Sequence, residues 1–133
     1  MEDAVCLGLH HVLKHLDCPN IYARILFIDY SSAFNTIVPH KLLNKLRLLN
    51  VNTQMCKWIF DFLLNRTQVV RFNFQLSEPL MLSTGAPQGC VLSPLLFTLF
   101  TNDCRSSSSS TLIFKFSDDT TIEGLVTNAD ESA

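Results

Sequence analysis

Apolar residues recur first at helical spacing: Val5, Leu9, Val12, Leu13 and Leu16 fall on one face of a helix expected over residues 2–17. Glu2 and Asp3 suit the positive end of its dipole, and Cys18-Pro19-Asn20 breaks it. The period then changes. Ala23-Arg24-Ile25-Leu26-Phe27-Ile28 is apolar on both alternating faces, the pattern of a central strand buried on two sides, and it ends at Asp29. After a turn region around Ser31 and Ser32, Leu42, Leu43, Leu46 and Leu49 predict a helix over residues 40–49 with Pro39 in its first turn. Met55, Trp58, Ile59, Phe62 and Leu63 predict another over residues 53–64, capped by Asn52 or Thr53, with this aromatic stripe in the core. Residues 67–74 alternate as a strand does, and residues 79–83 offer a hairpin partner or a second short strand.

The second half is punctuated differently. Thr84-Gly85-Ala86-Pro87-Gln88-Gly89 is a glycine loop opening a helix over residues 90–102, an arrangement that lets a ligand approach the backbone. The serine run 106–110 reads as a flexible surface linker. It leads into the apolar strand Leu112-Ile113-Phe114-Lys115-Phe116, and residues 120–125 can fold back as a second arm, placing Asp118 and Asp119 at a hairpin tip. Residues 1–126 form the expected domain, and 127–133 a polar, frayed tail.

A chain of 133 residues fits one domain or a piece of one. With 47% hydrophobic and 17% charged residues it is globular rather than disordered, and a net charge of −2 gives no general attraction to a phosphate backbone. Lys41, Lys45, Arg47, Lys57, Arg66 and Arg71 read as solvated surface that could also line part of a groove. Five cysteines without a Cys-x-x-Cys motif argue for reduced thiols inside a cell. His11 and His15 have a spacing that can hold zinc, but no acid or cysteine stands at a matching offset, so an ordinary helix face is favoured. The longest apolar region, residues 90–100, falls short of the ~20 residues that span a bilayer, so no membrane partner is expected. The acidic start is unlike a signal peptide, and an intracellular protein is expected.

The chemistry lies in the acids. Adjacent carboxylates at the end of a buried strand repel each other and call for a positive partner, a divalent metal among the candidates. Taken alone, Asp118-Asp119 is favoured as a solvated turn or a helix start. Asp29 repeats the arrangement at a second strand end. If the two strands are neighbours, three carboxylates converge, a set suited to two magnesium ions about 3.5–4 Å apart that stabilise the attacking and leaving oxygens of a phosphoryl displacement.

Three stretches carry a resemblance: Phe27-Ile28-Asp29-Tyr30-Ser31-Ser32-Ala33-Phe34-Asn35-Thr36, then Gly85-Ala86-Pro87-Gln88-Gly89-Cys90-Val91-Leu92-Ser93-Pro94, then Phe116-Ser117-Asp118-Asp119. In that order they resemble the central motifs of reverse transcriptases, RNA-directed DNA polymerases. The wording is most similar to non-long-terminal-repeat retrotransposons, the long interspersed elements, including the jockey-like type. The resemblance implies that Asp29 and Asp118 bind both catalytic metals, with Asp119 completing the acidic cluster and the Tyr30 backbone carbonyl as a further ligand. Mg2+ is the implied ion, with Mn2+ as a substitute. Phe34 matches the aromatic that lies beneath the sugar of the incoming nucleotide and excludes a 2′-hydroxyl; without the motif a core phenylalanine is the favoured reading. Gln88 and Gly89 match the loop that contacts the incoming nucleotide and the template or primer. The implied partners are an RNA template, a DNA primer and deoxynucleoside triphosphates, and the implied location is cytoplasm and nucleus.

The expected architecture is α+β: a polymerase palm-type antiparallel sheet carrying the acids on one face, with helices packed on the other. The family's fingers, thumb, endonuclease and late palm lysine find no match in these residues, and Ser117 stands where alanine is usual. A palm core with little or no polymerase activity of its own is therefore expected. The alternative is a non-catalytic retrotransposon remnant acting through protein contacts, and a two-metal nuclease is disfavoured because it leaves the Gln88 loop unexplained.

Overall fold

The computed structural model describes residues 2–17 and 21–127, with side-chain surroundings from Val5 onward. The side-chain surroundings of Glu2 and Asp3 are not described, and the break at Cys18-Pro19-Asn20 and residues 128–133 of the tail lie outside the described residues. The chain divides into two compact units, one comprising residues up to Ser31 and from Asn102 onward, the other Ser32–Thr101.

The first unit is α1 (Glu2–Leu16) over a three-stranded antiparallel sheet of β1 (Ile21–Asp29), β6 (Thr111–Phe116) and β7 (Asp119–Thr127), in the order β1-β7-β6. The β6–β7 hairpin is closed by Ser117 and Asp118, as the sequence pattern predicts. That closure puts β7, not β1, at the centre. β1 is an edge strand whose residues Arg24 to Phe27 are exposed, Phe27 by 75%. The expectation of a strand buried on both sides fails because an apolar run records composition, while a strand's place in a sheet depends on pairing partners far away in sequence. The helix also lies elsewhere than expected. Val5, Leu9 and Val12 face the side of the sheet that carries Asp29 and Asp119, so helix and acids share one face.

The serine run is another correction. Ser106, Ser108 and Ser110 are half-buried and bonded to one another, with Ser108 Oγ 2.7 Å from Ser110 Oγ, and Leu125 N donates to Ser110 O at 2.8 Å. Serine hydroxyls satisfy backbone groups locally, so the segment is a built turn rather than a loose linker.

The second unit contains a 3-10 turn (Ala33–Thr36), α2 (Pro39–Leu48), α3 (Thr53–Leu63), the short strands β2 (Arg66–Gln68), β3 (Arg71–Phe72), β4 (Gln75–Leu76) and β5 (Leu80–Leu82), and α4 (Leu92–Phe100). Pro39 opens α2, where its missing N–H costs nothing. Asn52 caps α3 by accepting from Gln54 N at 2.8 Å. β2 pairs with β5 and β3 with β4, so the expected single strand over residues 67–74 is split into β2 and β3, and the chain reverses between β3 and β4 at Asn73, which has φ 54°. The core gathers Ile37, Leu42, Leu46, Ile59, Leu63 and Leu96 among others. Only part of the expected α3 stripe joins it: Met55 and Trp58 are half-exposed, and Trp58 stacks on Phe62 with centroids 5.8 Å apart. α3 is covered along Cys56, Ile59 and Leu63, a stripe too narrow to include them.

Candidate active site

Asp119 opens β7 and pairs with Phe116 across a two-residue turn in which Ser117 adopts φ 56°, a conformation that a small polar residue tolerates in tight hairpins. On its other side Asp119 pairs with Asp29, the last residue of β1. Directly opposed residues of an antiparallel pair share a face, with Cβ atoms about 4.5–5.5 Å apart, and like charges so placed destabilise the pairing. Both side chains are exposed and both line a groove of about 510 Å3 between α1 and the sheet. Asp118 is half-buried in the turn, outside the alternation that puts Asp29 and Asp119 together. Two carboxylates therefore meet, and the third is adjacent in sequence. Among the described residues no three His, Cys, Asp or Glu side chains gather into a metal-holding group, so the expected convergence of all three acids is reduced to a pair. The pair's donors are hard carboxylate oxygens, which fit magnesium or manganese and suit soft metals poorly. Tyr30, 38% exposed, follows Asp29 directly.

Phe34, Gln88 and Gly89 belong to the second unit. Phe34 is half-buried and meets Phe97 edge-on, with centroids 6.0 Å apart, so its ring packs against the core. Its carbonyl accepts from Ala86 N at 2.8 Å, while Gly85 N donates to Ile37 O at 2.7 Å. These bonds tie the glycine loop to the segment that carries Phe34. Gly85, at φ 83°, lies so close to that segment that a Cβ would stand 2.9 Å from the Asn35 Cα. Gln88 and Gly89 are exposed beyond this anchored part, and a Cβ at Gly89 would meet nothing within 4 Å.

Four features escaped sequence reasoning. Arg66 fastens the loop from the other side: its guanidinium donates to Thr84 O at 3.1 Å, to Gly85 O at 2.7 Å and to Leu63 O at 3.2 Å. Lys45, another of the basic residues, donates to Phe100 O at the end of α4 and lies over the Phe100 ring. Cys90, just after the loop, has its thiol 3.0 Å from Ser93 Oγ, and that hydrogen bond lowers the thiol pKa. The fourth is Glu123, only 5% exposed on β7, packed against Gly8 of α1, with one carboxylate oxygen that has no hydrogen-bond partner. Burial pushes its pKa up, opposed by the charge of His11. Period-two counting from Asp119 places Glu123 on the acid face, but no sequence signal marks it as buried. His15, by contrast, lies with Nε2 3.4 Å from Val126 O. Cys6, Cys56, Cys90 and Cys104 are free thiols, and Cys18 lies outside the described residues.

A hairpin that sets an acid opposite the end of a neighbouring strand offers hard oxygen donors of the kind metal-assisted phosphoryl chemistry uses. A family model described as reverse transcriptase (RNA-dependent DNA polymerase) matches residues 6–125. The chain belongs to that family. It is also similar to the probable RNA-directed DNA polymerase from transposon BS of Drosophila melanogaster, with 32% identity over 93 residues, 70% of this chain and 10% of that protein. The chain thus spans about a tenth of the length of this relative.

Proposed function

We propose that this chain supplies the palm acids of a retrotransposon RNA-directed DNA polymerase, the activity named for its relative. The observation that carries the reading is the register pair Asp29–Asp119, with Asp118 in the adjoining turn, on a chain of this family. Asp29, Asp118 and Asp119, with the Tyr30 carbonyl, would hold divalent metal ions, of which the family makes use. Such ions, two Mg2+ or Mn2+ in their place, supply charge stabilisation to the oxygens of the reacting phosphate. The acids' own part is to present oxygens from two strands that the ladder keeps in register, and to hold off unproductive geometry.

The substrates of this reading are a DNA primer, an RNA template and deoxynucleoside triphosphates. Phe34 would limit the space beneath the sugar, and Gln88 and Gly89 would offer side chain and open backbone to nucleotide and strand. Base selection falls to template pairing, and the protein contacts sugar and phosphate, which position without reading sequence. Activity of the 133-residue chain by itself is expected to be slight, so metal binding is the first test. Titrated Mn2+ should broaden the amide resonances of Asp29, Asp118 and Asp119 before others, and Asp29→Asn should abolish that selectivity. Uniform broadening across the chain would refute the site. Template-dependent, Mg2+-dependent primer extension abolished by Asp118→Ala would overturn the expected inactivity and strengthen the polymerase reading.

A further inference from the structure

The groove beneath α1 carries acidic residues at two separated places. Asp29 and Asp119 line it where β1 and β7 meet the hairpin turn, and Glu123 lines it four residues further along β7. Four residues of strand separate the two places by about 13 Å at the ordinary rise. Between them the lining is mainly apolar: Phe27 from β1, Phe114 from β6 and Leu9 from α1, with Thr121 midway along β7. Glu123 is buried, yet its Oε2 has no hydrogen-bond partner, which is costly for a carboxyl group. Lys115 is the basic residue of the lining, and its ammonium donates to Cys104 O at 3.0 Å. Acidic ends, an apolar middle and an orphaned carboxylate oxygen define a complement of opposite charge.

We propose that this groove binds an elongated dication with a hydrocarbon middle, a long-chain α,ω-diamine, one ammonium at Glu123 and the other at the Asp29–Asp119 pair. Its volume, about 510 Å3, is in the range of small-molecule sites. An ammonium at Glu123 gives the orphaned oxygen a donor and the buried carboxylate its counter-charge. Because burial raises the Glu123 pKa, binding should strengthen as pH rises and the carboxylate forms. His11 on α1 is the titratable group that acts on Glu123, and its charge opposes the rise that burial causes. Ile25 on β1 and Leu112 on β6, directly opposite Glu123, carry no charge.

Calorimetric titration of the full chain with three probes tests this independently of any polymerase activity. Decamethylenediamine should bind once per chain and at least about tenfold more tightly than either decylamine, which has one charge, or tetramethylenediamine, which is too short to reach both ends. Glu123→Gln should reduce the long diamine to the affinity of decylamine. Thr121→Phe, which obstructs the middle of the groove while keeping every acid, should remove the preference by a separate route. Equal affinity for the three amines, no saturable binding by the natural chain, or a length preference that survives both substitutions would overturn the proposal.

Discussion

Two glycines of one loop separate conformational from steric cost. Gly85 and Gly89 both adopt positive φ, 83° and 77°, so alanine at either enters a left-handed conformation that costs about 1–2 kcal/mol. At Gly89 that is the whole charge against stability, since its Cβ direction is open. At Gly85 the new carbon meets backbone, 2.9 Å from Asn35 Cα and 3.2 Å from Phe34 O, and backbone held by hydrogen bonds on both sides cannot swing away as a side-chain tip would. Gly85→Ala should therefore lose more stability than Gly89→Ala, roughly 3 kcal/mol or more against 1–2. Urea unfolding of the two variants measures the difference, and equal midpoints would remove the steric argument. Gly89→Ala, which leaves the fold nearly intact, is then the better probe of backbone approach to a nucleotide.

At the scale of elements, the contact of α1 with β7 is built around a carboxyl group. Gly8 allows the helix to sit on Glu123, and the carboxyl is shielded from water on a face otherwise lined with apolar groups. Its folded pKa lies above the ordinary 4.5, so between 4.5 and that higher value the native chain holds more protons than the unfolded one. Stability from this group is complete below 4.5 and is lost as pH rises through the folded pKa. Glu123→Gln should abolish that falling segment of the stability-against-pH curve, and a curve unchanged by the substitution would show that the carboxyl ionises freely. Sequence reasoning reached α2, α3, α4 and the β6–β7 hairpin because periodicity, Pro39, Asn52 and turn residues are local signals. It missed that β1 is an edge and that Met55 and Trp58 stay half-exposed, because pairing and covering depend on distant residues. The site divides the same way: Asp29 and the Asp118–Asp119 tip were legible as strand ends, whereas the pairing of Asp29 with Asp119, the Arg66 clasp and the burial of Glu123 arise only when the strands meet.

For the whole chain, the two units differ in how they are held together. Every member of the main core cluster, from Ala33 to Phe97, belongs to the second unit, where three helices enclose fully buried Ile37, Leu42, Leu46, Leu63 and Leu96. In the first unit Val12 and Val126 are the buried large hydrophobic residues among those described, accompanied by Thr120 and Glu123, and Ile25, Leu26 and Phe27 remain exposed. Its cohesion comes mainly from the nine-residue ladder of β1 with β7 and the six-residue ladder of β6 with β7. Hydrogen bonds exchanged for water contribute about 1 kcal/mol each, and a buried Leu or Ile contributes about 1.5–3. A ladder with one apolar side in solvent is therefore expected to open at lower free energy than the helical unit. Native-state hydrogen exchange should find the amides of α2, α3 and α4 protected to a higher opening free energy than those of β1 and β7, with the β1 edge opening first. The consequence reaches the candidate site, because Asp29 and Asp119 are brought together by the weaker unit. If metal is held there, Mg2+ should raise protection along β1 and β7 selectively and leave α2–α4 unchanged. Equal protection in both units without metal would contradict the energetic ranking, and a uniform rise on adding Mg2+ would place the ion elsewhere.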